Sequence, residues 1–154
     1  MTVDNETTLF FDAACLIAAA GSPTGGSSFL LSVCSRGFLS AVVSQPVLLE
    51  AERNIIDHFA PEAMTRYERI LATVQIRLVS TPIRSRIQLY ESIAGEKDAH
   101  VVAAAILAEA DYLITLDKRL AAQVNQAELP MKALSPGEFI KTILIQHPDY
   151  PSLR

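Results

Sequence analysis

The sequence predicts an α/β fold, a three-layer α/β/α sandwich with a central, mainly parallel sheet. Three observations lead there. Short apolar, β-prone runs alternate with longer helical stretches, the pattern of a parallel sheet covered on both faces. Half of the 154 residues are hydrophobic, yet Trp is absent and only 6% are aromatic. The core is therefore aliphatic, which suits helices packed on a sheet. No repeat, low-complexity tract or long linker divides the chain, and its length suits one domain. We read residues 1–146 as that domain and residues 147–154 as a polar, Pro-containing tail expected to fray.

The elements follow in order. Thr7 to Phe11 is β-prone and ends in Asp12. Ala13 to Ala20 is Ala-rich and helical, and Gly21 to Gly26 is a loop. Ser27 to Arg36 reads as a helix ended by Gly37. Leu39 to Val43 is a buried strand. Ser44 or Gln45 then caps a helix with Pro46 in its first turn, turning Val47, Leu48, Ala51 and Ile55 inward. Pro61 starts an amphipathic helix to about Val74, with Arg66 and Arg69 exposed. Ile76 to Val79 is a strand, and Pro82 starts a helix to about Ile93. Glu96-Lys97-Asp98 opens another, to about Ala110. Tyr112 to Thr115 is a strand, followed by Asp117 and a short helix around Arg119 to Val124. Met131 to Leu134 is the last strand and Pro136 to Ile145 the last helix.

Composition narrows the function. The net charge of −4 argues against a protein that simply coats nucleic acid. Two cysteines, Cys15 and Cys34, make neither a disulfide framework nor a zinc site; they read as buried thiols in a reducing cytoplasm. The acidic start, Met1 to Glu6, is unlike a secretory signal, and the apolar run from Leu9 to Ala20 is too short for a membrane span and carries Asp12.

In a parallel sheet the strands run one way, and each following helix starts at the carboxyl edge, where ligands bind. That rule sorts the seventeen acidic residues. Asp12, Glu50, Asp98 and Asp117 fall at the carboxyl edge. Glu109 and Asp111 fall at the opposite edge, and Glu96 is peripheral. Singly, Asp98 and Glu50 also suit helix N-termini, and Asp117 suits a turn; the joint placement is the signal. Four gathered acids repel unless a cation sits among them, and an all-oxygen donor set suits Mg²⁺ or Mn²⁺.

The segment Lys97-Asp98-Ala99-His100-Val101-Val102-Ala103-Ala104-Ala105, followed by Ala110-Asp111-Tyr112-Leu113-Ile114-Thr115-Leu116-Asp117, resembles the distal half of PIN domains. So do Val43-Ser44-Gln45-Pro46-Val47-Leu48-Leu49-Glu50 and Phe10-Phe11-Asp12. The likeness spans residue 9 to about 140. It implies a PIN-like sandwich, Mg²⁺- or Mn²⁺-dependent cleavage of RNA, and, for small bacterial members, a toxin of the VapC type paired with an antitoxin protein and assembled as a homodimer. It maps the four catalytic, metal-binding acids onto Asp12, Glu50, Asp98 and Asp117, with Thr115 in support. Lys97 and Lys118 flank mapped acids and are the expected substrate contacts. The resemblance departs at Ala13 and Ala14, where the family often has hydroxyl or amide side chains.

Two rivals remain. A PIN-like module without catalysis would dock RNA or a protein partner, a reading that Ala13-Ala14 motivates. A phosphatase or receiver-like domain would also place acids at strand ends, but Ala14 stands where such a phosphatase wants a second Asp. The histidines His58, His100 and His147 show no triad arrangement.

Overall fold

The computed structural model describes residues 2–153; Met1 and Arg154, which the expected domain and tail include, lie outside the described residues. Five strands form one parallel sheet: β1 (Thr8–Phe11), β2 (Ser40–Ser44), β3 (Arg77–Val79), β4 (Tyr112–Ile114) and β5 (Lys132–Leu134), in the order β3-β2-β1-β4-β5. The chain steps outward from β1 to β3, then crosses back to β4 on the other side of β1. Leu9 is in register with both Ala41 and Tyr112. The β1–β4 boundary is thus the point where the winding reverses, the usual place for a ligand in this class.

Right-handed crossovers put helices on both faces. On one face lie α1 (Ala13–Gly21), α2 (Gly26–Ser35), α3 (Gln45–His58) and α4 (Pro61–Thr73), with α1 packed against the other three. On the other lie α5 (Arg84–Gln88), α6 (Glu91–Leu107) and α7 (Lys118–Gln126). The central strand and its neighbour β4 have helices on both sides, so Leu9, Phe10 and Phe11 of β1 and Leu113 of β4 are fully buried. No single helix among the described residues is long and apolar enough to cross a membrane.

Four expectations need correction. The helix expected from Pro82 to Ile93 is instead extended chain to Ile83, then short α5, then the first turn of α6. Pro82 drives the residue before it out of the helical region, and Gly95, at φ 82°, breaks α6 so that a new turn begins at Glu96. That helix ends at Leu107, before Ala110. Glu109 adopts φ 55° and turns the chain into β4, while the Ala110 N–H reaches the Ala105 carbonyl; no glycine marks this stop. Arg66 is half-buried, its Nε donating to the Ala20 carbonyl at the end of α1.

The fourth correction is the tail. After α8 (Pro136–Thr142) and a single 3₁₀ turn, His147 is buried. Its Nδ1 accepts the Asp149 N–H at 3.0 Å, which leaves the proton on Nε2 to donate to the Phe38 carbonyl at 2.8 Å. Arg36 donates to the Leu153 carbonyl, and Leu153, in α9 (Tyr150–Leu153), is 1% exposed. Polar composition suggested fraying, but one imidazole and one leucine clasp the segment to the entry of β2.

Replacing His147 with Ala removes both bonds and leaves a cavity. We expect a loss of about 2–3 kcal/mol, read from the urea midpoint, and faster carboxypeptidase trimming. An unchanged midpoint would mean that the clasp contributes nothing to stability.

Candidate active site at the carboxyl edge of the sheet

Asp12 is the first residue beyond β1. Its main-chain N–H donates to the Ile114 carbonyl at 3.0 Å, so the last bond of the β1–β4 ladder holds its backbone. It is also the N-cap of α1, and its Oδ1 accepts the Ala13 N–H at 2.8 Å. The next two side chains are Ala13, buried, and Ala14, half-buried, so neither offers a polar partner.

The other carboxylate oxygen meets the neighbouring strand. The Thr115 hydroxyl donates to Asp12 Oδ2 at 2.9 Å and accepts the Asp117 N–H at 3.1 Å. Thr115 is itself buried, and its N–H donates to the Leu134 carbonyl at 3.0 Å. One hydroxyl therefore ties the ends of β1, β4 and the start of α7 together. Asp117 caps α7, its Oδ1 accepting the N–H groups of Arg119 and Leu120.

Glu50 and Asp98 arrive on helices. Buried Ser44 caps α3, accepting the Val47 N–H, and Glu50 stands exposed in the second turn. Gly95 restarts α6 just before Asp98, which is half-buried. A left-handed backbone there suits only a residue without a side chain, so this glycine sets where Asp98 enters. A glycine just before Glu96-Lys97-Asp98 is a signal in the sequence that the reading of the elements did not use.

The electrostatics separate these acids. Burial, first of all, pushes the Asp12 carboxyl above the usual carboxylate range; the bonds from Thr115 and Ala13 oppose this, and the charges of Glu50 and Asp98 add to it. Asp12, Glu50 and Asp98 thus share one field. Asp117 instead spends its carboxylate on the helix cap and reaches Asp12 only through Thr115. Among the described residues no three acidic, His or Cys side chains are already drawn into one coordination cage. The donor set still fits a hard divalent ion: it is all oxygen, the ionised form of its buried member is disfavoured by desolvation and like charge that a cation would offset, and exposed Glu50 has rotamers free to close.

Lys97, Lys118 and Arg119 are exposed around this edge. Glu138 is held below the usual carboxylate range by its hydrogen bonds with Ser135, and further by Lys118. Nearby Cys15 donates its thiol to the Ile114 carbonyl, and burial, then the Asp12 charge, raises its pKa, so it is no nucleophile. His100 Nδ1 is enclosed without a hydrogen-bond partner among the described residues. None of the four acids lines the cleft of about 560 Å³ beside α6; they sit on an open edge.

A family model described as the PIN domain matches residues 8–119. Two solved structures share the fold. PAE2754 from Pyrobaculum aerophilum aligns at a TM-score of 0.57 and 16% identity, over 82% of this chain and 83% of that one. VapBC2 from Rickettsia felis, bound to a DNA fragment from their promoter, aligns at a TM-score of 0.60 and 11% identity, over 83% of this chain and 98% of that one. No curated protein matches the sequence.

The raised Asp12 pKa carries a sign. The folded state holds this proton more tightly than the unfolded chain, so Asp12 costs no stability below the ordinary carboxylate pKa and costs progressively more as pH rises through the raised value. In metal-free buffer the urea midpoint of Asp12→Asn should therefore gain on the wild type between pH 4 and pH 8, a window set by the ordinary Asp value of about 4. A gap that stays constant with pH would show that Asp12 carries no unfavourable charge.

Proposed function

This chain belongs to the PIN-domain family, and from that premise we propose that it is a divalent-metal-dependent endoribonuclease, the VapC-like toxin of a type II toxin–antitoxin pair acting in the cytoplasm. The observation that carries the reading is Asp12: a buried carboxylate at the winding reversal, oriented on both oxygens and pressed by Glu50 and Asp98. A group held in that state gains from a cation.

In this reading Asp12, Asp98 and Glu50 hold Mg²⁺ or Mn²⁺, and Asp117 stands at the rim, completing the shell or a second site. When bound, the ion supplies positive charge and an activated water for phosphodiester hydrolysis. The chain's own residues do the rest. Thr115 and the Ala13 N–H fix the Asp12 carboxylate, so its geometry costs little reorganisation. Lys97 and Lys118 hold substrate phosphates beside the acids. An open edge suits a polymer that must lie across it.

The likeness to VapBC2 supports an antitoxin as the protein partner. The second reading, a PIN-like module that docks RNA or protein without catalysis, draws on Ala13-Ala14 and on acids that share a field rather than a cage.

A labelled single-stranded RNA incubated with Mg²⁺ or Mn²⁺ should be cleaved, and EDTA should stop it. Asp12→Ala and Asp98→Asn should each lower the rate roughly hundredfold or more with the helical circular-dichroism signal kept. Cleavage that survives either substitution would remove that acid from the site. If no RNA is cut and Mn²⁺ shifts no thermal midpoint, the docking module is the better reading.

A further inference from the structure

Two helices on one face of the sheet each present a single stripe to a shared cleft of about 260 Å³. On α2 the stripe is Ser28, Leu31, Ser32 and Ser35; on α4 it is Arg66, Arg69, Ile70 and Thr73. Both stripes keep the spacing of one helix face, three and four residues apart. Ala19 of α1 and Val74 join Leu31 and Ile70 in the apolar part of the wall.

The cleft holds two guanidiniums and no acid, in a chain whose net charge is −4. The larger cleft beside α6, by contrast, sets Glu109 against Arg86. Arg66 spends its Nε on the Ala20 carbonyl, which anchors the side chain and leaves its terminal nitrogens as donors. Neither Arg66 nor Arg69 makes an ion pair among the described residues. Like charges three residues apart on a helix face repel, so the pair gains from an anion set between them. Ser28, Ser35 and Thr73 spend their hydroxyl protons on main-chain carbonyls. The exposed Ser32 hydroxyl makes no hydrogen bond among the described residues and is free to donate. Two planar forks match the oxygens of a phosphate, and the apolar wall suits a ribose or base carried with it.

The cleft is also close to the acids. Ala19 lies two turns along α1 from Asp12, about 10 Å at about 1.5 Å per residue. A strand lying across the carboxyl edge has the cleft within reach a few nucleotides away. We propose that the cleft is an RNA phosphate subsite, in which Arg66 and Arg69 grip the backbone at a nucleotide remote from the bond to be cut. This rests on RNA being the ligand in the function proposed above, and not on whether that RNA is cleaved.

Fluorescence anisotropy on a labelled single-stranded RNA of about twelve nucleotides, in EDTA, reads binding without metal-dependent cleavage. Arg69→Gln should weaken binding roughly fivefold and flatten its salt dependence by about 0.7, the slope for one single-strand phosphate contact. Ser32→Asp, which puts a carboxylate among the same donors, should weaken it as much or more. Arg84→Gln, the same loss of charge on exposed α5, should leave both readings unchanged. Circular dichroism checks that each variant folds. Binding that ignores Arg69→Gln and Ser32→Asp, by a wild type that still cuts RNA with Mn²⁺, would overturn the subsite and leave the nuclease reading standing. A wild type that neither binds nor cuts RNA would overturn both. Arg69-dependent capture of polyglutamate, with none of RNA, would overturn the proposal in favour of an acidic peptide.

Discussion

The hydrogen bond from Thr115 to Asp12 joins the parts of this structure that function requires to be in one place. It crosses the β1–β4 boundary, where the direction of winding reverses. Thr115 is positioned by β5 through its N–H and positions α7 through its oxygen. The hydroxyl thus joins the ends of β1 and β4 to the start of α7, and the N–H of the same residue adds β5. A valine has nearly the same shape but could not donate to the carboxylate, so the shape of the sheet end would survive while its polarity would not.

Much of this was legible in the sequence because strand-to-helix junctions in a parallel sheet all face one way. Placing Asp12, Glu50, Asp98 and Asp117 at the carboxyl edge, and Glu109 and Asp111 at the other, needs only the order of elements. Asp111 does sit at the opposite edge, where its carboxylate accepts the Thr8 N–H at the start of β1. The inner strands were equally visible, because short runs such as Ala41 to Val43 bury both faces and so read as continuous apolar segments.

What was not legible depends on tertiary context. The stop of α6 at Glu109 has no local signal, because the left-handed turn there is imposed by the need to enter β4. The clasp of the C-terminal segment depends on a carbonyl, that of Phe38, far away in the chain. Arg66 looked like one more solvated cation on an amphipathic helix. Its guanidinium instead satisfies the end of α1, a helix with no basic residue in its own last turn. In each case the partner is remote, and single-chain patterning sees only near neighbours.

The sharpest of these distinctions is between Asp12 and Asp117. Both follow adjacent parallel strands, and both cap the helix that comes next. Patterning therefore treats them alike. Yet Asp117 is exposed and accepts two helix N–H groups on one oxygen, so its charge is well satisfied by solvent and by the helix terminus. Asp12 is buried, accepts one N–H and one hydroxyl, and faces two further carboxylates. The difference arises from strand order: β1 lies in the middle of the sheet, with β2 and β4 on either side and Glu50 and Asp98 delivered by helices from both faces. β4 lies one place further out, where α7 turns away. Equivalent residues on neighbouring strands thus become an exposed cap and a buried carboxylate whose ionised form is disfavoured by desolvation and by Glu50 and Asp98, and it is the buried one that has free energy to gain from a cation.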